Sequence, residues 1–87
     1  MSPERRKHKR IERNSRAALV SLMGKPIIEC VLKDISASGA RITIAVPEVV
    51  PDYFFLKIEE LNTQIMPKCR VRWRMRNDVG LEFFRQP

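Results

Sequence analysis

The chain has 87 residues, of which 17 are basic and 10 acidic, giving a formal net charge of +7. That length allows one domain with a small core and leaves no room for a large catalytic cleft. No apolar run reaches the roughly 18 residues that a membrane-spanning helix needs, and no apolar stretch follows the charged N-terminus as in a secretory leader, so a cytosolic protein is expected.

The charge is unevenly placed. Residues 1–16 hold seven basic groups (Arg5, Arg6, Lys7, Lys9, Arg10, Arg13, Arg16) against Glu4 and Glu12, and the rest of the chain is nearly balanced. A basic segment of this kind suits an anionic partner: a nucleotide, a nucleic acid or an acidic lipid. Residues 1–14 lack apolar periodicity and include Pro3, so a flexible basic arm is expected there, followed by one domain over 15–87.

From Ser15 the pattern changes to short β-like runs. Ser15 to Met23 reads as a strand closed by the turn formers Gly24, Lys25 and Pro26. Ile27 to Lys33 follows, with Ile28, Cys30 and Leu32 on one face. After the small and polar stretch Asp34 to Gly39, the alternation resumes at Ala40, Ile42, Ile44 and Val46. Pro47 to Pro51 reads as a loop or short helical turn. Phe54, Leu56 and Ile58 then alternate with Phe55, Lys57 and Glu59.

In the last third Cys69, Val71, Trp73 and Met75 alternate with Arg70, Arg72, Arg74 and Arg76, which on a strand separates a core stripe from a solvated row of cations. Asn77-Asp78 is expected to form a tight turn, and Val79 to Phe84 to return as the last strand. Six short strands with frequent turns predict an all-β fold, a small six-stranded antiparallel barrel, because closure hides the strand edges. Cys30 and Cys69 fall on inward phases and are expected as buried free thiols.

The residues offer little to an enzyme. The single histidine, His8, lies in the arm, Asp34, Asp52 and Asp78 lie at expected turns, and the three glycines do not form a phosphate-cradling loop. A structural zinc site has almost nothing to be built from, since His8 is the only histidine and Cys30 and Cys69 form no close pair. Two other features carry chemistry: Arg6-Lys7-His8-Lys9-Arg10 before the first strand, and Asp34-x-Ser36-x-x-Gly39 between the second and third. Each is common alone. Their order, one hairpin apart on a barrel pattern, is informative.

With these motifs the chain resembles the PilZ domain family. Arg5 through Arg10 is similar to the family's arginine motif and Asp34 through Gly39 to its second motif. Val71-Arg72-Trp73 with Val79-Gly80-Leu81-Glu82-Phe83 is similar to the closing hairpin. The resemblance implies a six-stranded barrel that binds cyclic di-GMP, with no cofactor and no reaction, and ligand-binding roles for Arg5, Arg6, Arg10, Asp34, Ser36 and Gly39. An arginine at the position of Arg5 further implies two intercalated ligand molecules per chain. The chain stops at Pro87 without the longer C-terminal helix of many members, so output is expected to pass to a separate effector protein.

The residue types suit that ligand. Arginine forks match phosphates and the N7/O6 edge of guanine, which lysine does not reproduce. A carboxylate, here Asp34, accepts from guanine's N1–H and N2–H. Ser36 either bonds ligand or fixes the turn, and Gly39 is expected to supply a positive φ or a close backbone approach. The bland readings are an Asx or Ser turn at Asp34 to Gly39 and core packing for Trp73. From another class, a small basic barrel binding RNA or single-stranded DNA remains the alternative; such barrels stack bases on exposed aromatic rings, for which Tyr53, Phe55 and Phe84 are the candidates.

Overall fold

The computed structural model describes residues 11–59 and 66–84, with side chains from Asn14 onward. Arg5, Arg6 and Arg10, and most of the expected arm, lie outside the described residues. Within them the chain forms six strands: β1 (Ile11–Val20), β2 (Pro26–Ile35), β3 (Gly39–Thr43), β4 (Tyr53–Ile58), β5 (Lys68–Met75) and β6 (Asp78–Phe83). They close in the order β1-β2-β3-β6-β5-β4, every neighbouring pair antiparallel, with β4 returning to β1. The barrel expected from the strand pattern is therefore the observed fold.

Period-two alternation explains the core. Ala17, Leu19, Leu32, Ala40, Ile42, Phe54, Leu56, Cys69, Val79 and Leu81 all point inward and are buried. Pro47–Val49 forms a single 3₁₀ turn, as two prolines four apart favour, and Val50 behind it closes the core.

Several expectations are corrected. β1 begins at Ile11, four residues before the Ser15 start expected from the sequence pattern. β3 ends at Thr43, and Val46, expected on the inward phase, is exposed. The tight turn is Arg76-Asn77 instead of Asn77-Asp78, with Arg76 at φ 56° and the Asn77 side-chain amide donating to the Ile44 carbonyl at 2.8 Å.

The largest correction concerns β5. Register against β6 runs Val71↔Leu81 and then Trp73↔Gly80, so Arg72 is an extra residue that Gly80 and Leu81 do not match. Such a bulge flips every side chain beyond it to the other face. Trp73 (44% exposed) and Met75 (66% exposed) therefore leave the core stripe that strict alternation assigns them. The arginines of the strand are not merely solvated: Arg70 and Arg72 both reach Glu82, at 2.7 and 3.4 Å, and Arg74 reaches Asp52 at 3.0 Å.

Both cysteines are free and buried. Burial pushes each thiol up to about 12, which makes both poor nucleophiles at neutral pH. A native pKa above the unfolded value means that this contribution to stability is complete below pH 9 and is lost as pH rises toward 12. The unfolded chain releases protons there that the native state keeps, at up to about 1.4 kcal/mol per pH unit for each thiol. Urea unfolding between pH 8 and 10.5 is expected to show a shallower loss of stability in Cys30→Ala than in the parent; equal slopes would contradict this assignment.

Candidate functional site

The site is built at one end of the barrel. Ile11 pairs with Ile35, Gly39 pairs with Glu82, and Cys69 pairs with Phe83, so the entry of β1, the β2–β3 turn and the end of β6 meet there. Ile11 is the first described residue at this end, and the arginine motif, which precedes it in the sequence, lies outside the described residues.

The β2–β3 turn is fixed by its own serines. The Ser36 N–H donates to the Gly39 carbonyl at 2.8 Å, and the Ser38 N–H donates to Ser36 Oγ at 3.2 Å. The Ser36 and Ser38 hydroxyl oxygens lie 3.3 Å apart, and the Phe83 N–H donates to the Ser38 carbonyl at 2.9 Å, which ties the turn to β6. Ser36 is thus the organiser of a serine turn. Gly39 serves a close approach: its φ is not in the positive range, but a Cβ there would overlap the Leu81 carbonyl oxygen.

Asp34 owes its orientation to a second bulge. Leu32 pairs with Ile42, and Asp34 then pairs with Arg41, leaving Lys33 as the extra residue. Without it Asp34 would share the phase of Cys30 and Leu32 and place a carboxylate in the core, which is prohibitively costly. With it the carboxylate faces outward beside Arg41, whose Nε–H donates to Asp34 Oδ2 at 2.9 Å, yet Asp34 remains only 8% exposed.

The neighbouring surface holds an open pocket of about 260 Å³ lined by Ser38, Gly39, Arg72, Trp73, Leu81 and Glu82. The indole of Trp73 lies directly over Gly80, where any Cβ would overlap the ring. The pocket therefore combines a partly exposed aromatic face, a guanidinium, a carboxylate and the motif turn. An aromatic face offers stacking to a planar base, and the polar groups offer hydrogen bonds to its edges. Among the described residues no three His, Cys, Asp or Glu side chains are close enough to hold a metal ion.

Of the expected site residues, the structure places Asp34 near the end of β2, Ser36 in the turn that follows and Gly39 at the start of β3. Trp73, Arg72 and Glu82 stand beside that turn and are additions to the candidate set. The available signal was Gly80, a glycine inside a strand, which often marks a bulge or a close approach from across the sheet.

Comparison with curated proteins finds no match. The family model described as the PilZ domain matches residues 4–87, which covers both motifs, all six strands and the pocket between them. The chain belongs to the PilZ domain family.

Proposed function

We propose that this protein is a cytosolic cyclic di-GMP receptor that takes two intercalated dinucleotides at the Asp34–Gly39 end of the barrel and signals to a separate protein through its N-terminal arm. PilZ domains are receptor or adaptor modules, not catalysts, and the family includes cyclic di-GMP receptors. The observation that supports the reading is the outward-facing carboxylate of Asp34 near the end of β2, followed by a hydrogen-bonded turn whose Ser38 and Gly39 line a pocket with a stacking face, at the end where β1 begins. No helix among the described residues is long and apolar enough to cross a membrane.

In this reading Asp34 accepts from guanine's N1–H and N2–H, while Arg6 and Arg10 take phosphates and the N7/O6 edge. Trp73 supplies a ring for stacking. Ser36 and Gly39 keep the turn close to β6, so the backbone of the turn can approach the ligand. Ordering ten arm residues costs on the order of 10 kcal/mol of backbone entropy. The arm therefore closes only when several charge-assisted contacts form together, and the closed arm displays a different surface to the effector.

Arg6→Ala and Arg10→Ala are each expected to weaken cyclic di-GMP binding about tenfold or more, the value of one charge-assisted hydrogen bond. The melting temperature should stay within about a degree, as for surface positions generally. Loss of stability with retained affinity would reverse these roles. Two stacked ligands bring four phosphates together, and Arg5 offsets that repulsion and stacks on a guanine face. Arg5→Leu is expected to move the stoichiometry from two toward one, counted by native mass spectrometry; a parent that saturates at one ligand rejects the stacked pair and leaves the receptor reading standing.

A further inference from the structure

The carboxylate assigned to base recognition is one member of a row of side chains. Arg41 Nε donates to Asp34 Oδ2 at 2.9 Å, and Arg41 Nη1 lies 3.5 Å from Asp78 Oδ2. Thr43 Oγ1 in turn donates to Asp78 Oδ1 at 2.7 Å. The row runs along the outer face of β2, β3 and β6, from the site end of the barrel to the Arg76-Asn77 turn. Its register is set by the pairs Asp34↔Arg41 and Thr43↔Asp78.

Guanine presents N1–H and one N2–H side by side in the plane of the base. A carboxylate satisfies both only when its two oxygens lie in that plane, and the terminal torsion that sets the plane is intrinsically broad. A guanidinium is a rigid planar fork, and one held between two carboxylates cannot rotate without weakening one of the contacts. The Asp34 side chain is 11% exposed and that of Arg41 is 37% exposed, so the ion pair is only partly screened where it meets Asp34.

We infer that Arg41, anchored by Asp78, is a positioning residue for guanine selection, holding the Asp34 carboxylate in the plane that accepts both N–H donors of the base. The inference rests on the cyclic di-GMP reading and extends it to a residue outside both motifs. Arg41 does not touch the ligand in this account; its effect is on which base is preferred.

The discriminating probe is the inosine analogue of cyclic di-GMP, which lacks the exocyclic N2 amino group and so can use only one of the two contacts. Calorimetry on the full chain is expected to show the parent preferring cyclic di-GMP over this analogue by about tenfold, the value of one such hydrogen bond. Arg41→Gln should reduce that preference to less than about threefold and leave affinity for the analogue nearly unchanged. A general loss of structure would instead weaken both ligands equally. Arg41→Lys keeps the charge without the fork and should recover little of the preference. Asp78→Asn, which touches Arg41 but not Asp34, should lower the preference by a smaller factor and is the variant to read if Arg41→Gln does not fold. Parent-like preference in Arg41→Gln, or in Asp78→Asn where that is the variant read, overturns the inference and leaves the receptor reading intact. A parent that binds neither dinucleotide overturns both.

Discussion

Gly39→Ala is expected to lower the melting temperature by on the order of 10 °C and to remove cyclic di-GMP binding in the same step. The added methyl would overlap the Leu81 carbonyl oxygen, with the Leu81 carbonyl carbon 3.2 Å and the Glu82 Cα 3.4 Å away. These are backbone atoms of the paired strand, not the ends of side chains that could swing aside. Relief requires β3 to move off β6 where Gly39 pairs with Glu82 and where the Phe83 N–H is bonded to the Ser38 carbonyl. Overpacking usually costs about 1–3 kcal/mol, and a rigid obstacle places this case at the upper end. For a domain of this size each kcal/mol moves the midpoint by about 4–8 °C. The displaced turn carries Asp34, Ser36 and Ser38 with it, so affinity falls together with stability. A thermal melt and a titration on the same sample check this, and a variant that melts and binds like the parent would show that the close approach is not needed.

Asp34→Ala should give a different signature, a large loss of affinity with a smaller loss of stability. The substitution deletes the acceptor for guanine's two N–H donors, and an unpaired buried donor costs about 1–3 kcal/mol, or about 5–150-fold in affinity. The ion pair lost with it involves Arg41, whose side chain is 37% exposed. Although the Asp34 carboxylate is buried, the half-exposed guanidinium keeps Asp78 and water when the pair is lost, so the cost should be about 1–2 kcal/mol and the midpoint shift smaller than that of Gly39→Ala. The preference for guanine over adenine dinucleotides should also collapse, because the deleted group reads that edge. An Asp34→Ala protein that keeps both affinity and base preference would reduce Asp34 to a turn former.

The contrast between these two positions shows which features the sequence could carry. Strand alternation revealed the barrel because each inward residue is every second residue, and that rule holds for Leu32, Ile42, Phe54 and Leu56. The same rule fails at Lys33 and Arg72, where one additional residue enters a strand without a partner. Nothing in the local composition of those two residues announces the change. Both bulges nevertheless lie beside the candidate site, one turning Asp34 outward and the other turning Trp73 outward. The motif singles out Asp34 without reference to strand phase, whereas Trp73 has no motif of its own and strict alternation assigns it to the core. Arg41 was invisible for a different reason: its partner is fixed only when the cross-strand register is known.

The outward Trp73 also bears on the nucleic-acid alternative, since it adds an exposed ring to Tyr53 and Phe84, which stack on each other at 5.7 Å. Those two rings lie around β4 and the end of the chain, whereas Trp73 borders the motif turn and its pocket. A continuous track of bases would need rings and cations in sequence along one groove. On β5 the cations next to Trp73 are instead engaged with Glu82 and Asp52. The arrangement suits a compact ligand at one end of the barrel better than an extended strand.

Titration calorimetry of the full chain with cyclic di-GMP, cyclic di-AMP and a single-stranded RNA distinguishes a dinucleotide receptor from a nucleic-acid-binding barrel. Saturable binding of cyclic di-GMP at two molecules per chain is expected, with much weaker binding of cyclic di-AMP and only weak, salt-sensitive binding of RNA by the basic N-terminal segment. No heat with cyclic di-GMP, combined with tight RNA binding that falls steeply with salt, would contradict the receptor reading.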